Sequence, residues 1–232
     1  QERLKEAAKL GFSVAVVPKA NAPKASDKAL MAALGRPGEA PEGWFAPDTW
    51  NYTSQDSDLD LLRRALIRQQ TLLDDAWANR AENLPYQNAY EVLIMASIIE
   101  KETGVPHERG EIAGVFVERL RRGMRLQTDP TVIYGMGESY EGRIRTVDLR
   151  TPTPWNTYVI PALPPTPIAM PGAEAIRAAV NPAETQALFF VARGDGSHVF
   201  SRTLDEHNRA VQEFQMRRRE GYRSFPAPGT SP

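Results

Sequence analysis

The densest apolar run in this chain stands near its middle. From Val92 to Ile99 every residue except Ser97 is apolar. A run that is apolar on all sides is too hydrophobic for a surface helix and predicts a buried core helix, here from about Asn88 to Thr103. Glu100, Lys101 and Glu102 follow at once, and then Gly104 and Pro106 punctuate the chain. The helix therefore delivers Glu100 to the edge of the core in its last turn. Desolvation and the negative end of the helix dipole both favour the neutral form of a carboxyl group in such a place. A carboxylic acid kept protonated near neutral pH is what a general acid needs. Glu102 lies two residues on, roughly 200° around the helix axis, so the two carboxylates do not readily flank one bond.

Helical periods recur on either side of this run. Leu59, Leu62, Leu66, Leu73 and Trp77 fall at spacings of three, four and seven. They predict a scaffold helix capped by Ser57 or Asp58 and running to about Arg80. A further helix is predicted from His107 to Arg122, with Ile112, Phe116 and Leu120 inward and Gly123 as its stop. Glu108, Arg109, Glu111, Glu118, Arg119, Arg121 and Arg122 read as its solvated face. Asp129 before Pro130 opens a short helix that carries Tyr134. Asp129 is either an ordinary N-cap or, with Gln127, part of a cleft that holds Glu100.

Residues 136–172 are loop-rich, with prolines recurring from Pro152 to Pro171. A loop of that length in a compact domain is usually functional. Thr151 to Tyr158 offers polar and aromatic groups, among them Asn156 and Tyr158, that suit an amide- and hydroxyl-rich ligand. The alternative is a proline-stiffened surface excursion. A short helix follows from Ala173 to Val180. Two strand-like runs, Leu188–Ala192 and His198–Ser201, are joined by Arg193–Ser197 as a hairpin. The last helix is predicted from Leu204 to about Glu220, with Leu204, His207, Val211 and Phe214 on one face. His207 thus reads as a packed, hydrogen-bonded histidine. The fold class is α+β, mainly helical, with one small hairpin.

The amino-terminal part is sparser. Gln1–Leu10 is helix-prone, Phe12–Val17 suits a short strand, and Asp27–Leu34 a short helix. The Pro/Gly cluster Arg36–Gly43 marks a boundary, so the first 43 residues read as the remnant of a larger module. Glu42 to Tyr52 is a dense aromatic loop that either lines a sugar-binding groove or pins the linker to the core. The chain starts at Gln1 with no Met or signal peptide, and a trimmed fragment is expected.

Composition narrows the chemistry. Of 232 residues, 41% are hydrophobic and 25% charged, as in ordinary globular domains. A formal net charge of -1 argues against general nucleic-acid binding. The lack of cysteine removes disulfides, zinc thiolate sites and cysteine nucleophiles. The three histidines show no metal-ligand spacing, and neither a phosphate loop nor a G-x-S-x-G turn occurs. No metal or cofactor is assigned. An acid at the end of a buried helix, set among aromatic, amide and hydroxyl groups, suits cleavage of a glycosidic bond. A second carboxylate is usual for that reaction, and Asp129 is the one other candidate in the central stretch. A mechanism in which one carboxylate serves as acid and then base removes the need.

Several motifs resemble, in order, those of the MltG (YceG-like) family of endolytic murein transglycosylases. They are EGWFAPDTW at 42–50, MASIIEKET at 95–103, FVERLRRGMRLQTDPTVIYGMG at 116–137, TPTPWNTY at 151–158, LPPTPIAMPG at 163–172, Asn181-Pro182, and the segment from Phe200 to His207-Asn208. The resemblance implies cleavage of the β-1,4 bond between N-acetylmuramic acid and N-acetylglucosamine, with the muramoyl 6-hydroxyl as nucleophile and a 1,6-anhydro product. It maps the catalytic glutamate to Glu100. Gln127, Asp129, Tyr134, Asn156 and Tyr158 are the expected substrate-binding groups, with Glu102 a secondary group that tunes Glu100. It further implies a partial LysM-like module at 1–41, a catalytic domain at 42–222 and a flexible tail at 223–232. Peptidoglycan strands are the expected partner, with peptidoglycan synthases as protein partners. Family members carry a membrane anchor, so the expected location is the periplasmic face of the bacterial inner membrane.

Overall fold

The computed structural model describes residues 26–216. The helix and strand expected before Asp27, the end of the last helix and the tail lie outside the described residues. The elements are α1 (Asp27–Ala33), α2 (Asp58–Ala78), α3 (Ala89–Glu102), α4 (Arg109–Arg121), α5 (Asp129–Met136), α6 (Thr146–Arg150), α7 (Ala173–Val180), β1 (Phe189–Ala192), β2 (His198–Ser201) and α8 (Leu204–Val211). Single 3-10 turns precede α4 and follow α5, and a π turn, Gln212–Met216, extends α8. The fold is α+β and mainly helical, with one antiparallel hairpin in which Phe190 pairs with Phe200 and Val191 with Val199.

Local chemistry fixes most helix starts. The Ser57 hydroxyl accepts the N–H of Asp60, and the Asp60 carboxylate accepts that of Ser57, closing a capping box on α2. Asn88 caps α3 by accepting the N–H of Glu91, and Thr203 and Glu206 form a second capping box on α8. For α5 the cap is Thr128, with Asp129 and Pro130 in the first turn, so Asp129 is not the N-cap. Pro130 leaves one amide fewer to satisfy there.

Helix α3 is the axis of the molecule. All eight residues from Val92 to Ile99 are buried, and the helix packs against α2, α4, α5 and α7. Each large apolar side chain so buried contributes about 1.5–3 kcal/mol. Met31 of α1 joins the same core, so residues 26–41 lie on the main body. Ser97, the one polar residue of the run, donates to the Ile94 carbonyl (2.7 Å) and accepts the N–H of Ile168 (2.9 Å). It thereby holds the proline-rich strap 163–172 against the helix.

Two expected surface charges are core residues. Glu108 and Arg119 are each 6% exposed. Glu108 accepts both the backbone N–H (2.9 Å) and the ring Nδ1 (2.8 Å) of His198, on the hairpin. Arg119 donates to the carbonyls of Arg125 (2.8 Å) and Leu188 (2.9 Å) and to Gln127. The charged face of α4 is covered where the chain passes from α7 into β1.

Candidate active site

Glu100 emerges half-buried in the last turn of α3. Its Oε2 accepts the backbone N–H of Gly172 at 3.1 Å, and Oε1 has no hydrogen-bond partner among the described residues. Gly172 is the N-cap of α7, so the carboxylate faces the positive end of that helix. Pro47, from the aromatic loop, lies beside Gly172. Two strap segments, 42–47 and 167–172, thus run together next to Glu100. Gly43 makes this possible: its φ is +85°, and a Cβ there would meet the Pro167 ring at 2.6 Å.

Glu102 turns to another wall, as the helix geometry requires. Its Oε1 accepts the Thr128 hydroxyl. Burial pushes this carboxyl up to about 7, opposed by the Thr128 hydrogen bond and aided by Asp129 nearby. Thr128, Thr131 and Thr157 form a buried hydroxyl cluster behind it, with Thr131 and Thr157 2.8 Å apart and the Thr128 N–H donating to Thr157 (3.0 Å).

The expected binding residues divide into three groups. Asp129 accepts the Tyr158 phenol at 2.6 Å, and burial together with Asp129 drives that phenol well above its ordinary range. Gln127 is next to them in chain and in space. It adopts a left-handed φ of 51°, donates its N–H to Thr157 O (3.2 Å) and accepts from Arg119. Such backbone strain in a non-glycine residue persists where the surroundings over-determine it. Tyr134 belongs to a second group: its phenol donates to Glu42 (3.3 Å), its ring meets Trp155 edge to face (5.4 Å), and Trp155 donates to Thr166 (2.9 Å). Burial raises the Glu42 carboxyl above its usual range. Asn156 stands apart, at 1% exposure. Its NH2 donates to the carbonyls of Asp148, Leu149 and Thr151, and its Oδ1 accepts the Tyr158 N–H. All of its polar atoms are engaged, so it shapes the loop that carries Tyr158.

The aromatic loop pins the linker to the core. Trp44 is a pin: it is buried, stacked on Tyr90 (5.8 Å) and covered by the Arg36 guanidinium (3.8 Å). Tyr52 is 44% exposed. His207 stacks on Phe189 (5.3 Å), but its buried Nδ1 has no hydrogen-bond partner among the described residues. Burial, aided by the Arg119 charge, holds this imidazole below its ordinary range. Among the described residues no cluster of His, Asp and Glu could hold a metal ion, and no helix is long and apolar enough to cross a membrane. A surface depression lined by Glu111, Thr185, Phe200 and Arg202 contains none of the site residues.

Residue-by-residue reading missed Thr131, Gly172 and Gln69. Threonines at 128 and 131 sit one turn apart beside a short helix, which is a weak signal. Gln69 has a stronger one: it fills the gap in the leucine stripe of α2, three after Leu66 and four before Leu73, and it is fully buried.

Fold and site together define a mainly helical α+β domain that presents one partner-poor carboxylate at the end of its central helix. The chain belongs to the YceG-like family, whose sequence profile matches residues 2–213. It is 36% identical over 173 residues to an endolytic murein transglycosylase of Bacillus subtilis (strain 168), covering 75% of this chain and 48% of that protein. It is 28% identical over 178 residues to the endolytic murein transglycosylase of Streptococcus pneumoniae serotype 2, covering 74% of this chain and 32% of that one. The crystal structure of a putative YceG-like protein from Listeria monocytogenes superimposes with a TM-score of 0.63 at 34% identity, over 72% of this chain and 54% of that chain. The chain thus spans about half, or less, of the length of the curated relatives it matches.

Proposed function

We propose that this chain carries the catalytic part of a peptidoglycan lytic transglycosylase, which cuts within glycan strands at the β-1,4 bond from N-acetylmuramic acid to N-acetylglucosamine. The observation that supports this is the isolation of Glu100. One oxygen is held by the Gly172 N–H, the other is without a partner among the described residues, and Glu102 faces Thr128. That arrangement suits one carboxyl group used twice. As an acid, Glu100 gives its proton to the glycosidic oxygen, the C1–O bond breaks, and an oxocarbenium-like centre develops at C1. As a carboxylate it then takes the proton of the muramoyl 6-hydroxyl while that oxygen closes on C1. The products are a free 4-hydroxyl on the N-acetylglucosamine side and a 1,6-anhydro end, with no water consumed. The Gly172 N–H is accepted by either protonation state, so it keeps the group in place through both steps.

Two groups, Gln127 with Asp129 and Tyr158, and Tyr134 with Trp155, are assigned to sugar hydroxyls and N-acetyl amides. The site of action on this reading is the periplasmic face of the inner membrane, on nascent strands next to peptidoglycan synthases. Glu100→Gln tests the assignment. The amide cannot donate a catalytic proton, and turnover of uncrosslinked glycan strands is expected to fall about 10²–10⁴-fold with folding intact. A folded Glu100→Gln protein of normal activity overturns it.

One observation favours a second reading. Burial pushes the Glu102 carboxyl up to about 7 beside Asp129, and a carboxyl that keeps its proton near neutral pH suits a general acid. A hydrolase built on these two residues would be silenced by Glu102→Gln and spared by Glu100→Gln.

A further inference from the structure

Gln69 of α2 is fully buried, 31 residues before Glu100 in the chain, and belongs to a helix otherwise read as scaffold. Its Nε2 donates to two backbone carbonyls, Gly43 O at 2.9 Å and Pro171 O at 3.0 Å. Both neighbours are pure acceptors, so only the NH2 end of the amide can face them; the rotated amide would set oxygen against oxygen. Its Oε1 is buried without a partner among the described residues. An unsatisfied atom in the core costs stability, and a Leu at this place in the stripe would remove it only by leaving the Gly43 and Pro171 carbonyls without a donor.

The Pro171 carbonyl and the Gly172 N–H belong to one peptide group, which is trans. On one side that group accepts from Gln69; on the other it donates to Glu100 Oε2. The three groups form a continuous chain: Gln69 N–H to Pro171 O, then Gly172 N–H to Glu100. Hydrogen bonds in series polarise one another, more so away from water. A donor on the carbonyl therefore makes the N–H a stronger donor to the carboxylate. The second Nε2 hydrogen ties the same amide to Gly43, fixing the 42–47 strap relative to the 167–172 strap.

We propose that Gln69 is a positioning residue for the reaction, which orients and polarises the Pro171–Gly172 peptide that holds Glu100. The inference rests on the reading of Glu100 as the acid. A hydrogen bond to the charged carboxylate favours the charged form, so weakening it lets Glu100 keep its proton to higher pH. Loss of Gln69 therefore moves the alkaline limb of the pH–rate profile upward. It also lets the carboxyl drift from its productive position, which lowers kcat with little effect on KM.

The test is steady-state cleavage of uncrosslinked glycan strands across pH by wild type, Gln69→Met and Glu100→Gln, with a melting curve for each. Gln69→Met keeps side-chain length and removes both donors. The expected result is a kcat lower by about 10- to 100-fold, a KM within about twofold of wild type, an alkaline limb displaced to higher pH, and a melting temperature lowered by the two buried carbonyls left without a donor. Where Gln69→Met does not fold, Gln69→Leu takes its place, because it completes the leucine stripe of α2 and removes the same two donors. A Gln69→Met protein with wild-type kcat and pH profile overturns the proposal while Glu100→Gln remains inactive. So does a loss of activity that follows the melting temperature and leaves the pH profile in place. An active Glu100→Gln protein overturns both this inference and the reading it rests on.

Discussion

Glu102 gives the site its pH dependence of stability. Its carboxyl is raised from about 4.5 to about 7 in the folded chain, so between those values the folded state binds more protons than the unfolded state. Stability is then greatest at the acid end of that window and falls as pH rises through 7. Each unit of the rise is worth about 1.4 kcal/mol, which makes the loss about 3 kcal/mol at most. Glu102→Gln is expected to flatten this slope and to be more stable than wild type above pH 7, as urea denaturation at pH 5 and pH 8 will show. A Glu102→Gln protein with the same pH slope as wild type would place the titration elsewhere. Arg119 makes the opposite kind of contribution. It satisfies two backbone carbonyls and Gln127 from within the core, so Arg119→Ala leaves buried acceptors unpaired. About 2–4 kcal/mol of stability should be lost, read as a lower denaturation midpoint.

Between elements, the decisive contact is the strap of 163–172 against α3. Ser97→Ala removes the acceptor of the buried Ile168 N–H and should lower stability by about 1–2 kcal/mol. It should also raise KM for glycan, because Trp155 and Tyr134 depend on the same strap through Thr166. Unchanged KM and stability would mean that the strap is held by its prolines alone. This contact also marks how far the sequence could be read. The helices were legible because their signals are local: an apolar run at 92–99, a capping box at Ser57, a Gly at 123. The hairpin was legible from two short apolar runs around Arg193–Ser197. Glu108 and Arg119 were not, since their burial depends on where residues distant in sequence come to rest, Leu188 for one and His198 for the other. Glu100 could be named from its place at a helix end and from the motifs around it. The Gly172 N–H that holds it could not, because a backbone donor leaves no mark in residue type. Asn156 was read as a polar group for a ligand, yet its whole hydrogen-bonding capacity is spent on the loop around it.

At the scale of the molecule, one buried pair ties the hairpin to the helical body. Glu108 bonds His198 twice and lies within reach of the Thr103 hydroxyl, at the end of α3. Glu108→Ala should strand the His198 N–H and imidazole in the core and lower stability by about 2–4 kcal/mol. Hydrogen exchange should then show the hairpin amides opening before those of α3. The whole molecule also frames the site: the central helix carries Glu100 to the Gly172 end of one strap, with Pro47 of the other beside it, and carries Glu102 to the Thr128 hydroxyl. The central claim is that one carboxyl group serves as acid and then base with no water in the reaction. Mass spectrometry of the products from uncrosslinked glycan strands tests this most directly. Fragments that end in 1,6-anhydro-N-acetylmuramic acid, absent with Glu100→Gln, are the predicted result. Fragments heavier by one water would contradict it and turn attention to Glu102 and Asp129.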